Sequence, residues 1–277
     1  MRFGGPAALA REDDSWAFRQ RKRRDGVHSL IPTGRSRTEP VTRSYFDTED
    51  GRTDRFVVAL VGLAFEARIA SGPGVVVICR NSEREVATAL GRALERGCQS
   101  IISFGVAGGL APHLRPGDWI VASSIVDAQQ NRPTDRLWSE KILATIPNAE
   151  HRPIAGVDHP VADPDHKRRM HAETGAAAVD MESHLVARLA LTHGLNFTAV
   201  RVVIDPAHRA IPDAALAGMR PDGGTSFAAV MRELIASPSQ LSGLLRLAYD
   251  GYAARRALLR ARRLLGPDFG RLGLIEA

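Results

Sequence analysis

The chain has 277 residues, 44% of them hydrophobic, which is enough apolar material to bury the core of one domain of ordinary α/β size. Its two cysteines, Cys79 and Cys98, stand in no zinc-like or CxxC spacing, which excludes a disulfide scaffold and fits a reducing compartment; a cytoplasmic location is expected. No run of about 18 apolar residues occurs, and the opening MRFGGPAALAREDDSW lacks the apolar stretch of a secretory signal, so neither a spanning helix nor export is expected.

The net charge of +6 is concentrated in RQRKRR at residues 19–24 and in the segment from Arg246 to Arg263. Such clusters either attract anionic partners or form a well-solvated surface. Neither is interleaved with aromatic residues for base stacking, so no nucleic-acid partner is expected.

Residues 1–55 are rich in charge, Gly, Pro and Ser and read as a poorly ordered basic extension. Regular structure is predicted from 56 to 265, beginning with the buried-strand pattern FVVALVGLA and a second strand at Gly74–Cys79. Ser82, with Glu85 three residues on, opens a helix that Gly97 stops. Strands follow at Ser100–Phe104 and Trp119–Val126, with a turn at GVAGGL between them. Helices are predicted from Leu137 to Ile146 and from Asp163 or Asp165 to Gly175. A short strand at Ala176–Val179, a helix from Glu182 to His193 and a strand at Asn196–Ile204 complete the alternation. Residues 226–265 read as helical and amphipathic, and 266–277 as a tail. The pattern predicts an α/β fold, a central mixed β-sheet flanked by helices, with a helical C-terminus.

Ligands collect at strand ends in such sheets. Here those ends carry Glu66, the run Gly105-Val106-Ala107-Gly108-Gly109, the pair Asp180 and Glu182 around Met181, and Asp205. Each has an ordinary reading: a solvated acid, a tight turn, or a carboxylate favouring a helix N-terminus. Their joint placement after apolar strands points instead to one pocket. Asp158, His159, Asp163 and His166 lack a rigid ligand spacing such as HExxH and read as loop and cap residues, so no metal is expected.

VGLAFE, GVAGGL followed by Gly117-Asp118, VDMES and RVVID together resemble the nucleoside phosphorylase and nucleosidase family, from about Val57 to Ile235. TGAAAVDMESHLVARLA, RVVIDPAHRAIPDAAL, MRPDGG and SPSQLSGLLRLAYDGYAARRALL are similar to its hopanoid-associated phosphorylases, which act on adenosylhopane and release adenine. The resemblance implies a nucleoside phosphorylase-like fold and cleavage of a purine–ribose bond. It makes Asp205 the acid at N7 of adenine, Glu182 the acceptor for the ribose diol, and Met181 a packing surface for the nucleoside.

By the same resemblance Glu66 matches an acid that activates water in the nucleosidase branch. Val106, Ala107, Gly108 and Gly109 would present backbone donors near C1′, although Val106 and Ile204 stand where some relatives carry polar residues. The segment with His159 and Pro160 is placed near the base. Arg68, Arg80 and Arg201 are candidates for phosphate contact, Arg201 also for a structural ion pair with Glu182. No organic cofactor is implied; inorganic phosphate would be a cosubstrate, and a homo-oligomer is expected. The basic amphipathic C-terminal helix either packs on the domain or contacts a membrane peripherally. Two rivals stand beside the phosphorylase: a hydrolytic 5′-modified adenosine nucleosidase, and a nucleoside-binding module without turnover.

Overall fold

A computed structural model describes residues 56–80, 82–128, 130–220 and 223–271, so the extension expected at 1–55 and the end of the expected tail lie outside the described residues. Five consecutive apolar residues form β1 (Val57–Val61), wholly buried between two parallel neighbours, β2 (Val75–Cys79) and β3 (Ser100–Gly109). A strand without polar positions is what a sheet covered on both faces requires.

β3 also pairs in parallel with β8 (Asn196–Asp205), and antiparallel at its end with β7 (Ala178–Asp180). β7 continues to β6 (Glu150–Gly156), β6 to β4 (Trp119–Val126), and β4 pairs antiparallel with β8. β3, β8, β4, β6 and β7 thus close on one another, and β5 (Asn131–Pro133) borders β4. The fold is α/β with a central mixed sheet, as the alternation of patterns predicts.

Strand alternation divides the core. Val58, Leu60, Ile101 and Ala199 face α2 (Glu83–Glu95) and α5 (Ser183–His193) through Val86, Leu90 and Val186. Val57, Ala59, Ile102, Phe104, Val200 and Val202 face α3 (Arg136–Thr145) and the 24-residue α8 (Leu241–Leu264) through Trp138, Ile142, Ala254 and Leu258. α1 (Ala64–Ala70), α4 (Pro164–Thr174), α6 (Asp213–Gly218) and α7 (Phe227–Ala236) complete the set.

Local signals set the helix ends. The Ser82, Asp135 and Asp163 side chains accept the amides of Glu85, Trp138 and His166, and Gly175 and Gly194 close α4 and α5 with φ of 67° and 64°. Beyond α8, Phe269 is buried with its ring 5.0 Å from that of Phe104, and its carbonyl accepts the Trp138 indole N–H at 2.9 Å.

Several elements differ from the sequence reading, among them β5 and α6, which it did not predict. β3 does not stop at Phe104 but runs through the glycines to Gly109, because those residues hydrogen-bond to β7 and β8 instead of turning. The first strand ends at Val61, and Leu63 caps a short helix, α1, that carries Glu66. β6, with Pro153 inside it, has no strand-like alternation to announce it.

Candidate active site

The glycine run of β3 is the spine of the site. Glu66, on the first turn of α1, points back across the β1–α1 turn and is 1% exposed. Its Oε2 accepts the amides of Gly62 at 2.9 Å and Leu63 at 2.8 Å, and its Oε1 accepts the Val106 amide at 2.7 Å. Gly105 is small for a physical reason: a Cβ there would collide with the Glu66 carboxylate and lie 2.6 Å from Arg201 Nη1. Gly62 is constrained in the same way by Glu182, whose Oε1 would lie 2.5 Å from an added Cβ. These glycines make room for acids.

Arg201 projects from β8 into this cluster and is fully buried. Its Nε donates to Asp180 at 2.6 Å; its Nη2 donates to Ser103 at 2.5 Å and Glu182 at 3.3 Å. Asp180 is engaged on both oxygens, with Oδ1 accepting the amides of Glu182 and Ser183, and Oδ2 accepting the Ser183 hydroxyl and Arg201. Glu182, the N-cap residue of α5, also faces Arg80 at 3.6 Å.

Asp205 ends β8 on the far side of the glycine run. A Cβ on Gly108 would lie 3.4 Å from its Oδ2 and 3.3 Å from Val179. Val106, which holds Glu66, and Gly108, which borders Asp205, are two residues apart, about 7 Å along a strand. Asp205 forms a buried ion pair with Lys167 of α4, whose Nζ also donates to the carbonyls of Arg209 at 3.0 Å and Pro206 at 3.3 Å.

Burial governs the titration of the acids. Desolvation lifts the Glu66 pKa to about 7, with Glu182 adding to the rise and Arg201 and the Val106 and Leu63 amides opposing it. Glu182 is raised chiefly by burial and further by Asp180, against Arg201 and Arg80. Burial also raises Asp205 above the usual aspartate range despite Lys167 and Arg209. Burial alone would lower the Arg201 pKa; Asp180, Glu182 and Glu66 outweigh it and hold the guanidinium charged.

The structure therefore gathers Glu66, Val106, Asp180, Glu182 and Arg201 into one network, with Gly108 and Asp205 alongside. Met181 is half-buried between the two acids of its motif. Ala107 lies in the core, and Gly109 pairs with Ala178. The Val106 amide, expected to face a ligand, is taken by Glu66. Of the candidate phosphate arginines, Arg201 is enclosed by protein groups, Arg68 is exposed on α1, and Arg80 reaches Glu182 with its side chain 25% exposed. Asp163 caps α4 and Asp158 contacts His184 Nε2 at 3.2 Å; no group of three or more His, Cys, Asp or Glu able to hold a metal occurs among the described residues.

Sequence reasoning missed Lys167, Ser103 and Ser183. Lys167 sits in PDHKRRMHAET, where nothing separates it from its exposed neighbours Arg168 and Arg169. Ser103, a lone hydroxyl inside the apolar run SIISF, is the signal that was available.

The sequence profile of the Phosphorylase superfamily matches residues 37–236, most of the chain and every site residue from Glu66 to Asp205. The chain belongs to the phosphorylase superfamily. Among solved structures it is similar to the futalosine hydrolase of Helicobacter pylori, at 15% identity and a TM-score of 0.54, covering 79% of this chain and 99% of that one. It is also similar to the 5′-methylthioadenosine/S-adenosylhomocysteine nucleosidase of S. pneumoniae, at 18% identity and a TM-score of 0.52, covering 76% and 99%. The corresponding H. pylori nucleosidase gives 16% identity and a TM-score of 0.51, covering 75% and 97%. At these identities the likeness is one of fold. No curated protein sequence matches the chain. Within the superfamily span, Gly223 of the MRPDGG motif packs its backbone on the β1–α1 turn, where its carbonyl accepts the Ala64 amide at 3.1 Å.

Proposed function

We propose that the protein cleaves the N-glycosidic bond of a 5′-modified adenosine, releasing adenine, and that its substrate is the lipid-linked nucleoside adenosylhopane. The observation that supports this most is the placement of three raised-pKa acids against glycines, Glu182 at Gly62, Glu66 at Gly105 and Asp205 at Gly108. Breaking a ribosyl C–N bond builds positive charge on the sugar and negative charge on the purine. Asp205, whose pKa burial raises, is the acid that donates to N7 as the base departs. Glu182 accepts from the sugar hydroxyls and stabilises the cationic ring, with Met181 against the nucleoside. Asp180 anchors Arg201, and Arg201 orients Glu182.

The nucleophile divides the reading. Phosphate as cosubstrate has Arg80 as its accessible cation. Water has a specific observation in its favour: Glu66, with a pKa near 7, is a base matched to neutral pH, and the solved structures described above are nucleosidases and a hydrolase. A homo-oligomer is part of the proposal, checked by light scattering.

The test supplies adenosylhopane or 5′-deoxyadenosine, with and without phosphate, and quantifies free adenine and the sugar product. Adenine from the lipid nucleoside supports the proposal; adenine only from the soluble one reassigns the substrate, and phosphate dependence decides the nucleophile. Asp205→Asn should lower turnover by about 10²-fold. No adenine from either substrate would leave a binding module.

A further inference from the structure

α8 presents two opposite faces. Asp250, Ala254, Leu258, Ala261 and then Leu265 are buried against the domain. On the other side Leu241, Leu245, Tyr249 and Tyr252 are 48–75% exposed, and Arg256, Arg260 and Arg263 continue the same line toward the C-terminus. Successive members are three or four residues apart, so all seven share one helical face, apolar at its beginning and cationic at its end. The Arg256 guanidinium lies 5.8 Å from the centre of the Tyr252 ring, at the junction of the two halves. Leu258 and Leu265 belong to the core.

The cationic half borders a cleft of about 660 Å³ lined by Gly117, Trp119, Leu259 and Leu264 together with the three arginines. None of these arginines forms an ion pair among the described residues. The one acid of α8, Asp250, is turned inward and paired with Arg209. Trp119 is paired with Val202 and packs in the core layer on the α8 side of the sheet. Arg201, the next residue along β8, points to the opposite side, so the cleft is separate from the acid cluster.

We propose that this face of α8 docks the protein on an anionic lipid bilayer, with the apolar half entering the headgroup region and the three arginines taking lipid phosphates at the cleft. Charge selects this occupant. A second copy meeting the same face would bring three more arginines and no acid of α8, since Asp250 is buried and paired with Arg209. An anionic surface supplies the missing charge, and exposed Leu and Tyr side chains supply the apolar contact. The inference concerns a surface away from the acid cluster and does not depend on the reaction proposed for that cluster.

The full-length chain is floated with phosphatidylcholine vesicles and with vesicles rich in phosphatidylglycerol. Recovery with the anionic vesicles alone, reversed by high salt, is the expected result. Arg256→Gln/Arg260→Gln/Arg263→Gln should weaken partitioning by about a hundredfold. Leu245→Gln/Tyr249→Gln should weaken it by about tenfold, with melting temperatures unchanged because these side chains are solvated. Equal recovery on both vesicle types, or an arginine variant that floats like the parent, overturns the proposal. So does a fall in solution molar mass in either variant, which would make the face a contact between copies.

Discussion

Replacing Glu66 with Gln should reveal a pH-dependent stability difference whose size follows from the site geometry. Glu66 is 1% exposed, and burial moves its pKa from 4.5 to about 7. In the unfolded chain it loses its proton near pH 4.5, while the folded chain keeps the proton until about pH 7. Between those values the native state binds more protons than the unfolded state, so its stability falls with rising pH. The contribution is whole below about pH 4.5, disappears on the way to about pH 7 and is level above. At about 1.4 kcal/mol per unit, the loss is about 3 kcal/mol.

The Glu66→Gln variant has no such titration, and other acids largely cancel between the two proteins. Urea unfolding at a series of pH values should therefore show the parent losing about 3 kcal/mol relative to Glu66→Gln between pH 4.5 and 7. Parallel curves would refute the reasoning, because they would mean that Glu66 titrates as a solvated acid. The same pKa should set the rise of phosphate-free adenine release with pH if Glu66 is the base.

Lys167→Met removes the charge that opposes burial at Asp205, so the Asp205 pKa should climb further and the alkaline limb of adenine release should move to higher pH. A folded variant with an unmoved limb would detach Lys167 from the acid. Gly105→Ala drives a methyl into Glu66 and Arg201 and should destabilise by about 1–3 kcal/mol in thermal or urea unfolding. Gly91→Ala, on α2 with open space around it, should stabilise by about 0.5–1 kcal/mol, which separates the site effect from a general cost of side chains.

The sheet was legible because its strands are buried on both faces, and such strands announce themselves as unbroken apolar runs. β1 and β2 have this form, and β4 and β8 are interrupted only by Ser123 and Ser124 and by Thr198 and Arg201 between their ends. The helix ends at Ser82, Asp163, Gly175 and Gly194 were legible because capping is local chemistry. β6 was not, since EHRPIAG becomes a strand only through its pairing with β4 and β7. The extension of β3 through GVAGG was hidden for a related reason. Glycine suggests a turn when its neighbours in space are unknown, whereas the missing Cβ of Gly105 admits the carboxylate of Glu66 and the guanidinium of Arg201.

The sequence reading found the acids and named Arg201 as an ion-pair partner for Glu182, which the structure shows, but it did not find Lys167. Asp180 and Glu182 have two cations within reach, Arg201 and Arg80, so a charged Glu66 would be a third carboxylate facing two guanidinium groups. Desolvation is the main cause of the raised Glu66 pKa, and the neighbouring Glu182 carboxylate adds to it. Asp205 stands apart, matched one to one by Lys167. The two ends of the glycine strand thus differ in kind: a cluster one positive charge short of neutral at one end, and a self-neutral pair at the other. In the proposed reaction a developing sugar cation would be attracted to the first, and a departing purine would meet the acid of the second. This asymmetry depends on Lys167, which no motif distinguishes from the many arginines and lysines on the surface.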